Sequence, residues 1–339
     1  MINRKAKSYL CFILIPLISG ILAALVPIIE RQTQIEHSII ISILLFFYCS
    51  VTLFLIISPA RTMILENLNK RRWLYYLFTV ILLITPLFSW IFLSYTSESL
   101  LAYFIWYVLP ATIFIIPSFF QEFRFDFIFH VSAVILFAIG FDRRYTSQIF
   151  LGMSFQYEIN ALWVSSLILL LSSIQFQNYE EKFNWKITKN KLLLPMTLGL
   201  ILAIIIIPIG MLTKFLSWSP EWPGFLMFFF SFIGIWLTIA LPEEVIARGV
   251  IQHQLTEKVV KKDNNFFKFW KWFVLILASS IFGLSHWNNT TSEFAWVYIL
   301  LATIAGIFYG YCWWKGGLFS VMLIHTIVDW IWGLLFVSP

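Results

Sequence analysis

Long apolar runs recur along this chain and constrain its fold more than any other feature. An α-helix needs about 20 apolar residues to cross a hydrocarbon core of about 30 Å. Nine runs have that length, at 9–29, 36–58, 73–95, 99–120, 191–213, 223–241, 270–290, 293–312 and 317–337. Two shorter apolar stretches, 127–140 and 160–175, could cross the bilayer, lie tilted in it or re-enter it. With 60% hydrophobic and 12% charged residues, the chain cannot be a soluble domain. We therefore predict an all-α, polytopic transmembrane helix bundle with about nine to eleven spans.

The distribution of basic residues predicts how the bundle is oriented. Arg4, Lys5 and Lys7 precede the first run, and a second basic cluster, 61–72, separates the second and third runs. Basic connections favour the cytoplasmic side, so the N-terminus is expected there. The net charge of +6 comes from such connections and indicates contact with membrane lipids, and no nucleic-acid partner is expected.

A polar stretch, 175–191, is the best candidate for a domain boundary. Before it, residues 1–189 form a predicted transmembrane bundle of unknown role. After it, residues 190–339 hold nearly all the ionisable residues that interrupt apolar runs. Ionisable groups at membrane depth are costly and mark functional sites, so the second half is where a site is expected.

The segment 242–248, Pro-Glu-Glu-Val-Ile-Ala-Arg, follows directly on the apolar run 225–241. Successive helical residues are about 100° apart, so Glu243 and Glu244 should face different directions. Glu244 and Arg248 are four residues apart with the acid first, the favoured order for a helical ion pair. We predict that Glu244 and Arg248 form a charge-neutral strut and that Glu243 is the reactive carboxylate.

Two later apolar segments each carry a histidine at a similar helical spacing. Phe282 and His286 are four residues apart, so the aromatic ring can wall the side on which the imidazole points. His325 and Asp329 are also four apart and share a helix face, where Asp329 could orient the imidazole or contact water.

The depths of these groups are compatible with one shared cavity. At 1.5 Å per residue, Glu243 and His286 each lie about 22 Å from the basic connection 258–271, and His325 about 15 Å from Lys315. A carboxylate facing two imidazoles can activate water and stabilise an oxyanion. The same groups could instead bind a divalent metal such as zinc with an open position for water.

Three motifs in order on successive apolar helices resemble the CPBP family of intramembrane endopeptidases. They are Glu-Glu-x-x-x-Arg at 243–248, Phe-x-x-x-His at 282–286 and His-x-x-x-Asp at 325–329. The family comprises CAAX-type prenyl endopeptidases and bacterial relatives linked to bacteriocin processing and self-immunity. The resemblance covers about 190–339, and nothing in 1–189 takes part in it.

The resemblance implies an all-helical intramembrane endopeptidase, in which the first glutamate activates water and the histidines complete the site. It implies four catalytic residues, which are also the possible metal ligands: Glu243, His286, His325 and Asp329. It implies three supporting residues: Glu244, Arg248 and Phe282. The expected substrate is a lipidated, prenyl-like or membrane-anchored peptide or protein, and the expected location is a bacterial cytoplasmic membrane. The family more often has Asn at the last position, and Asp329 adds a charge that slightly favours a metal.

Three other functions remain compatible with the sequence. A protein of the same fold could act without catalysis, as an immunity factor or scaffold. Buried Glu, His and Asp residues also mark proton paths, so a proton-coupled transporter is a second alternative. A protease that trims the C-terminal membrane anchors of exported proteins is a third.

Overall fold

A computed structural model describes residues 11, 13–20, 35–57, 60–64, 71–93, 101–119, 126–142, 156–175, 183, 188–260 and 266–338. By their internal contacts the residues divide into two compact units, Met1–Trp185 and Lys186–Pro339. Each unit is helical, and the all-α polytopic bundle expected from the sequence is confirmed. The basic residues before the first apolar run lie outside the described residues, as does most of the run 9–29.

The helices of the first unit follow its predicted apolar segments. They are α1 (Ile35–Ile56), α2 (Arg72–Leu93), α3 (Leu109–Ile115), α4 (Asp126–Asp142) and α5 (Gln156–Gln175). A π-helical segment, Phe104–Val108, leads into α3, and a 3₁₀ segment, Ile116–Phe119, follows it. Both short apolar stretches of the sequence are therefore helices, α4 and α5.

Helix α5 is the core of the first unit, because every residue from 159 to 172 is buried. Its polar side chains find partners on other helices. Ser166 and Thr52 share a hydrogen bond of 2.7 Å between their hydroxyls, and the Trp163 indole donates to the Leu82 carbonyl at 2.7 Å. The Tyr107 hydroxyl donates to Asn160. Such bonds hold apolar helices together where burial against lipid supplies little driving force.

Among the residues that the structure describes, the second unit contains five helices long and apolar enough to cross a membrane. They are α6 (Lys189–Leu212), α7 (Phe225–Val259), α8 (Phe267–Leu284), α9 (Ala295–Gly316) and α10 (Leu318–Leu335). Gly317 alone joins α9 to α10, and its φ of 75° lies in the left-handed region that glycine adopts without strain.

Two short strands tie the end of the chain to the loop after α6. Strand β1 (Ser217–Trp218) pairs antiparallel with β2 (Phe336–Val337). The Trp330 indole adds a tertiary link by donating to the Phe228 carbonyl at 3.1 Å. Helices α7 and α10 are thereby fixed to each other near one end.

Helix α7 is longer than the sequence led us to expect. The predicted span 223–241 was expected to end before the glutamates, but α7 continues through Pro242 to Val259. A proline inside a helix leaves a carbonyl unpaired. Here a π-helical segment, Ile235–Ala240, precedes it, and Leu241 N–H bonds to Trp236 O, five residues back. The same order, a π segment and then Leu and Pro, occurs at Phe104–Pro110 in the first unit.

Helix α8 is shorter than expected. The predicted span 270–290 included His286, but the helix ends at Leu284 and His286 lies in the turn that follows. The His286 N–H bonds to Gly283 O at 3.1 Å, so the turn is tighter than an α-helical one.

Helices α8 and α9 approach closely at Gly283. A Cβ atom at this position would lie 2.7 Å from the backbone oxygen of Ile299 and closer still to the Thr303 hydroxyl. Because backbone cannot move aside cheaply, we expect Gly283→Ala to lower the free energy of unfolding by about 1–3 kcal/mol. Denaturant titration in detergent measures this. Gly234→Ala is the control, since nothing lies within 4 Å of its Cβ position, and an equal loss in both variants would contradict the packing argument.

Candidate active site

The imidazole of His325 is the centre of a cluster of ionisable side chains in the second unit. His325 lies on α10 and is 3% exposed. Its Nδ1 is 2.7 Å from Glu244 Oε1, and its Nε2 is 3.2 Å from Asp329 Oδ2 and 3.7 Å from Glu243 Oε2. Both ring nitrogens therefore face carboxylates, and the predicted pairing of His325 with Asp329 on one helix face is present.

Glu244 and Arg248 form the predicted ion pair. Arg248 Nε donates to Glu244 Oε2 at 3.1 Å, and both side chains are fully buried. The structure also corrects the roles predicted for the two glutamates. Glu244 is more than a strut, because its other oxygen accepts from His325 Nδ1–H and so fixes the ring. The two glutamates were expected to serve different surfaces, but both reach His325.

The three carboxylates around His325 differ in their exposure to solvent. The side chains of Glu243 and Asp329 are 26% and 36% exposed, whereas that of Glu244 is 0% exposed. A group that activates water must be reachable by it. Glu243 and Asp329 meet that condition, and Glu244 does not.

Two π-helical segments enclose the glutamates on α7. Ile235–Ala240 precedes the short α-helical piece Leu241–Glu244, and Val245–Gln252 follows it. Each π turn contains one residue more than an α turn and so changes the direction of the side chains after it. The π turn before the glutamates therefore sets the direction of the pair as a whole, while both glutamates lie in the α-helical piece.

His286 lies beside the cluster in the turn after α8. Its Nδ1–H donates to the Phe282 carbonyl at 2.8 Å, which leaves Nε2 with its lone pair unless the ring is protonated. The predicted wall is also present, because the Phe282 and His286 rings meet edge to face at 4.8 Å between centroids. His286 interacts electrostatically with Asp329, His325 and Glu244.

Phe282 connects several members of the cluster. Its ring centroid lies 6.0 Å from that of His325 and 5.1 Å from Arg248 Cζ, so the guanidinium rests on the ring face. A cation held over an aromatic face is stabilised by the ring quadrupole.

Tyr309 is a member of the site that sequence reasoning missed. It lies on α9, is 2% exposed, and stacks on His325 at 4.7 Å between centroids with an interplanar angle of 21°. The chain has 13 tyrosines and no motif singles this one out. The contact of Tyr309 with the imidazole follows from how α9 packs against α10, which no pattern in the sequence shows.

The arrangement of the predicted metal ligands does not fit a resident metal ion. Among the described residues, no three His, Cys, Asp or Glu side chains are arranged to share an ion. The Nδ1–H groups of His325 and His286 donate to Glu244 and to a carbonyl, so only the two Nε2 atoms could bind a metal, and His325 Nε2 already lies 3.2 Å from Asp329 Oδ2.

Comparison with known proteins agrees with the motifs. Residues 225–331 match the family model described as Type II CAAX prenyl endopeptidase Rce1-like. No curated protein and no solved structure gave a significant match to the chain. The matched segment begins at the first residue of α7 and contains Glu243, His286, His325 and Asp329. Residues 225–331, about a third of the chain, are therefore similar to the CPBP/CAAX family of membrane proteases.

Proposed function

We propose that the protein is an intramembrane endopeptidase that uses a glutamate-activated water. The observation that carries the proposal is the partly exposed side chain of Glu243, whose Oε2 lies 3.7 Å from the Nε2 atom of a buried histidine that two other carboxylates hold in place. A partly exposed carboxylate beside an oriented imidazole is the arrangement that general acid–base hydrolysis requires.

The proposed reaction conserves every proton. Glu243 takes a proton from water as the water oxygen attacks the peptide carbonyl carbon. His325 Nε2–H donates to the oxyanion that forms beside it, and the lone pair of His286 Nε2 orients the water. When the C–N bond breaks, Glu243 gives its proton to the leaving amine nitrogen.

We infer the substrate class from the family. A family described by CAAX prenyl endopeptidase activity suggests a lipidated or membrane-anchored peptide or protein as substrate. The apolar environment of the helices supports this proposal, because a lipid-anchored peptide is already concentrated at the membrane. We further propose that residues 190–339 carry the catalysis and that 1–189 serve another role.

We propose a bacterial cytoplasmic membrane, with the N-terminus in the cytoplasm, as the location. The excess of Lys and Arg before the first apolar run and around 61–72 supports this orientation. Labelling of single cysteines introduced into these connections in intact cells would test it.

The deciding experiment is peptide hydrolysis by the purified protein in liposomes. Farnesylated and unmodified peptides with identical sequences are offered, and products are identified by mass spectrometry. We expect cleavage that His286→Ala and His325→Ala each abolish while the proteins still insert. Substrate accumulation inside the liposomes without a cleaved product would show a transporter instead. A cellular phenotype that survives all these substitutions would favour a scaffold or immunity role.

Chelation tests the contribution of a metal directly. Because the described side chains do not gather around a common ion position, we expect EDTA and 1,10-phenanthroline to leave the hydrolysis rate within about twofold. Loss of activity that added zinc restores, with a stoichiometric metal content in the purified protein, would contradict the glutamate-only mechanism.

A further inference from the structure

Three polar side chains form a buried row along α7. Glu244, Arg248 and Gln252 are spaced four residues apart, and all three are fully buried. In a regular α-helix such a row drifts around the helix axis, because four residues exceed one turn. The wider π turns of Val245–Gln252 offset that drift and keep the three side chains in line.

Gln252 joins this row to the backbone of α9. Arg248 Nη1 donates to Gln252 Oε1 at 3.3 Å, and Gln252 Nε2 donates to Gly310 O at 3.2 Å. A primary amide suits this position because it accepts from the guanidinium and donates to the carbonyl at once. A continuous series of polar contacts thus runs from His325 Nδ1 through Glu244, Arg248 and Gln252 to α9.

Two glycines of α9 make room for the row. Gly306 and Gly310 are one turn apart, the spacing that allows helices in membranes to approach closely. A Cβ atom at Gly310 would lie 2.4 Å from Leu275 Cδ1 and 2.5 Å from Gln252 Oε1. One at Gly306 would lie 3.1 Å from Ser279 Cβ and 3.3 Å from Arg248 Nη2. The two glycines therefore leave a gap on the surface of α9, the Gly306–Gly310 slot, which the Arg248 and Gln252 side chains fill.

We propose that Gln252, seated in the Gly306–Gly310 slot, is a positioning residue for the catalytic histidine. By holding the Arg248 guanidinium between its amide and Glu244, it keeps the Glu244 carboxylate aligned on His325 Nδ1. The catalytic consequence rests on the proposed function, but the geometric effect on the imidazole does not. Without Gln252, the guanidinium loses one of its two side-chain acceptors and is free to turn away from Glu244.

The test compares Gln252→Leu with Gln254→Leu, a change of the same type at another buried position of α7. We expect Gln252→Leu to lower kcat about 10- to 100-fold with KM within about threefold, because the contact acts on the transition state and not on substrate binding. Gln254→Leu should leave both constants unchanged. Gly310→Ala, which displaces the amide without removing it, should reproduce the Gln252→Leu effect.

A second readout is independent of catalysis. The protein has five histidines, so ¹⁵N-histidine labelling gives few imidazole signals, and His325→Ala assigns the one of interest. We expect Gln252→Leu and Gly310→Ala to shift the His325 Nδ1 resonance and Gln254→Leu to leave it in place. An unchanged resonance in folded Gln252→Leu and Gly310→Ala would overturn the inference. A wild-type protein that cleaves nothing while the resonance shifts as expected would overturn the proposed function alone.

Discussion

Replacing Glu243 with glutamine should lower kcat for peptide hydrolysis by about 10²- to 10⁴-fold, the usual contribution of a general base. Glutamine has nearly the same shape but cannot accept the proton of the attacking water. Because the Glu243 side chain is 26% exposed, its neutralisation should cost little stability. The measurement is the initial rate of product formation in liposomes at saturating substrate, with thermal unfolding recorded in parallel.

Glu221→Gln is the matched control for this change. Glu221 is exposed in the loop before α7, so the same substitution there should leave the rate unaltered. A Glu243→Gln protein that retains wild-type kcat would remove Glu243 from the mechanism.

Replacing Arg248 with methionine should have the largest effect on stability. The Glu244–Arg248 pair is fully buried, and removing one partner leaves an uncompensated charge. Breaking such a pair costs about 3–5 kcal/mol. The lost guanidinium also leaves the face of the Phe282 ring and the Gln252 amide without their cation. We expect a large fall in the denaturation midpoint in detergent, together with loss of hydrolysis.

The double variant Glu244→Gln/Arg248→Met separates charge from packing. Removing both charges should restore much of the lost stability, because a neutral pair carries no comparable desolvation cost. It should not restore hydrolysis, since His325 Nδ1 then lacks its carboxylate. Equal stability of the single and double variants would show that the Arg248 side chain acts through its packing and not through its charge.

The sequence predicts the helices better than it predicts their ends. Apolar length is sufficient to locate a spanning helix, and every predicted segment coincides with a helix in the described part of the chain. Ends depend on local backbone. The helix through Pro242 continues because a π turn precedes the proline, and α8 stops at Leu284 because a tighter turn takes over. Neither effect has a counterpart in hydropathy.

The candidate site divides in the same way. The residues expected at the site, Glu243, Glu244, His325 and Asp329, lie together because helical spacing and depth constrain them strongly. Tyr309 and Gln252 could not be predicted, since their parts in the site depend on which face of α9 meets α7 and α10. A pattern within one helix carries no information about that choice. The direction of Glu244 was also inaccessible, because it follows from the π turns around it.

The π turns of α7 make the length of this segment matter more than its composition. Each wide turn amounts to one residue inserted into an α-helix. Deleting any one residue between 245 and 252 would allow a regular helix to form and would rotate everything beyond it by about 100°. Arg248 or Gln252 would then face another neighbour, even with every side-chain type retained. During evolution, this segment should therefore tolerate amino-acid substitutions far more readily than insertions or deletions.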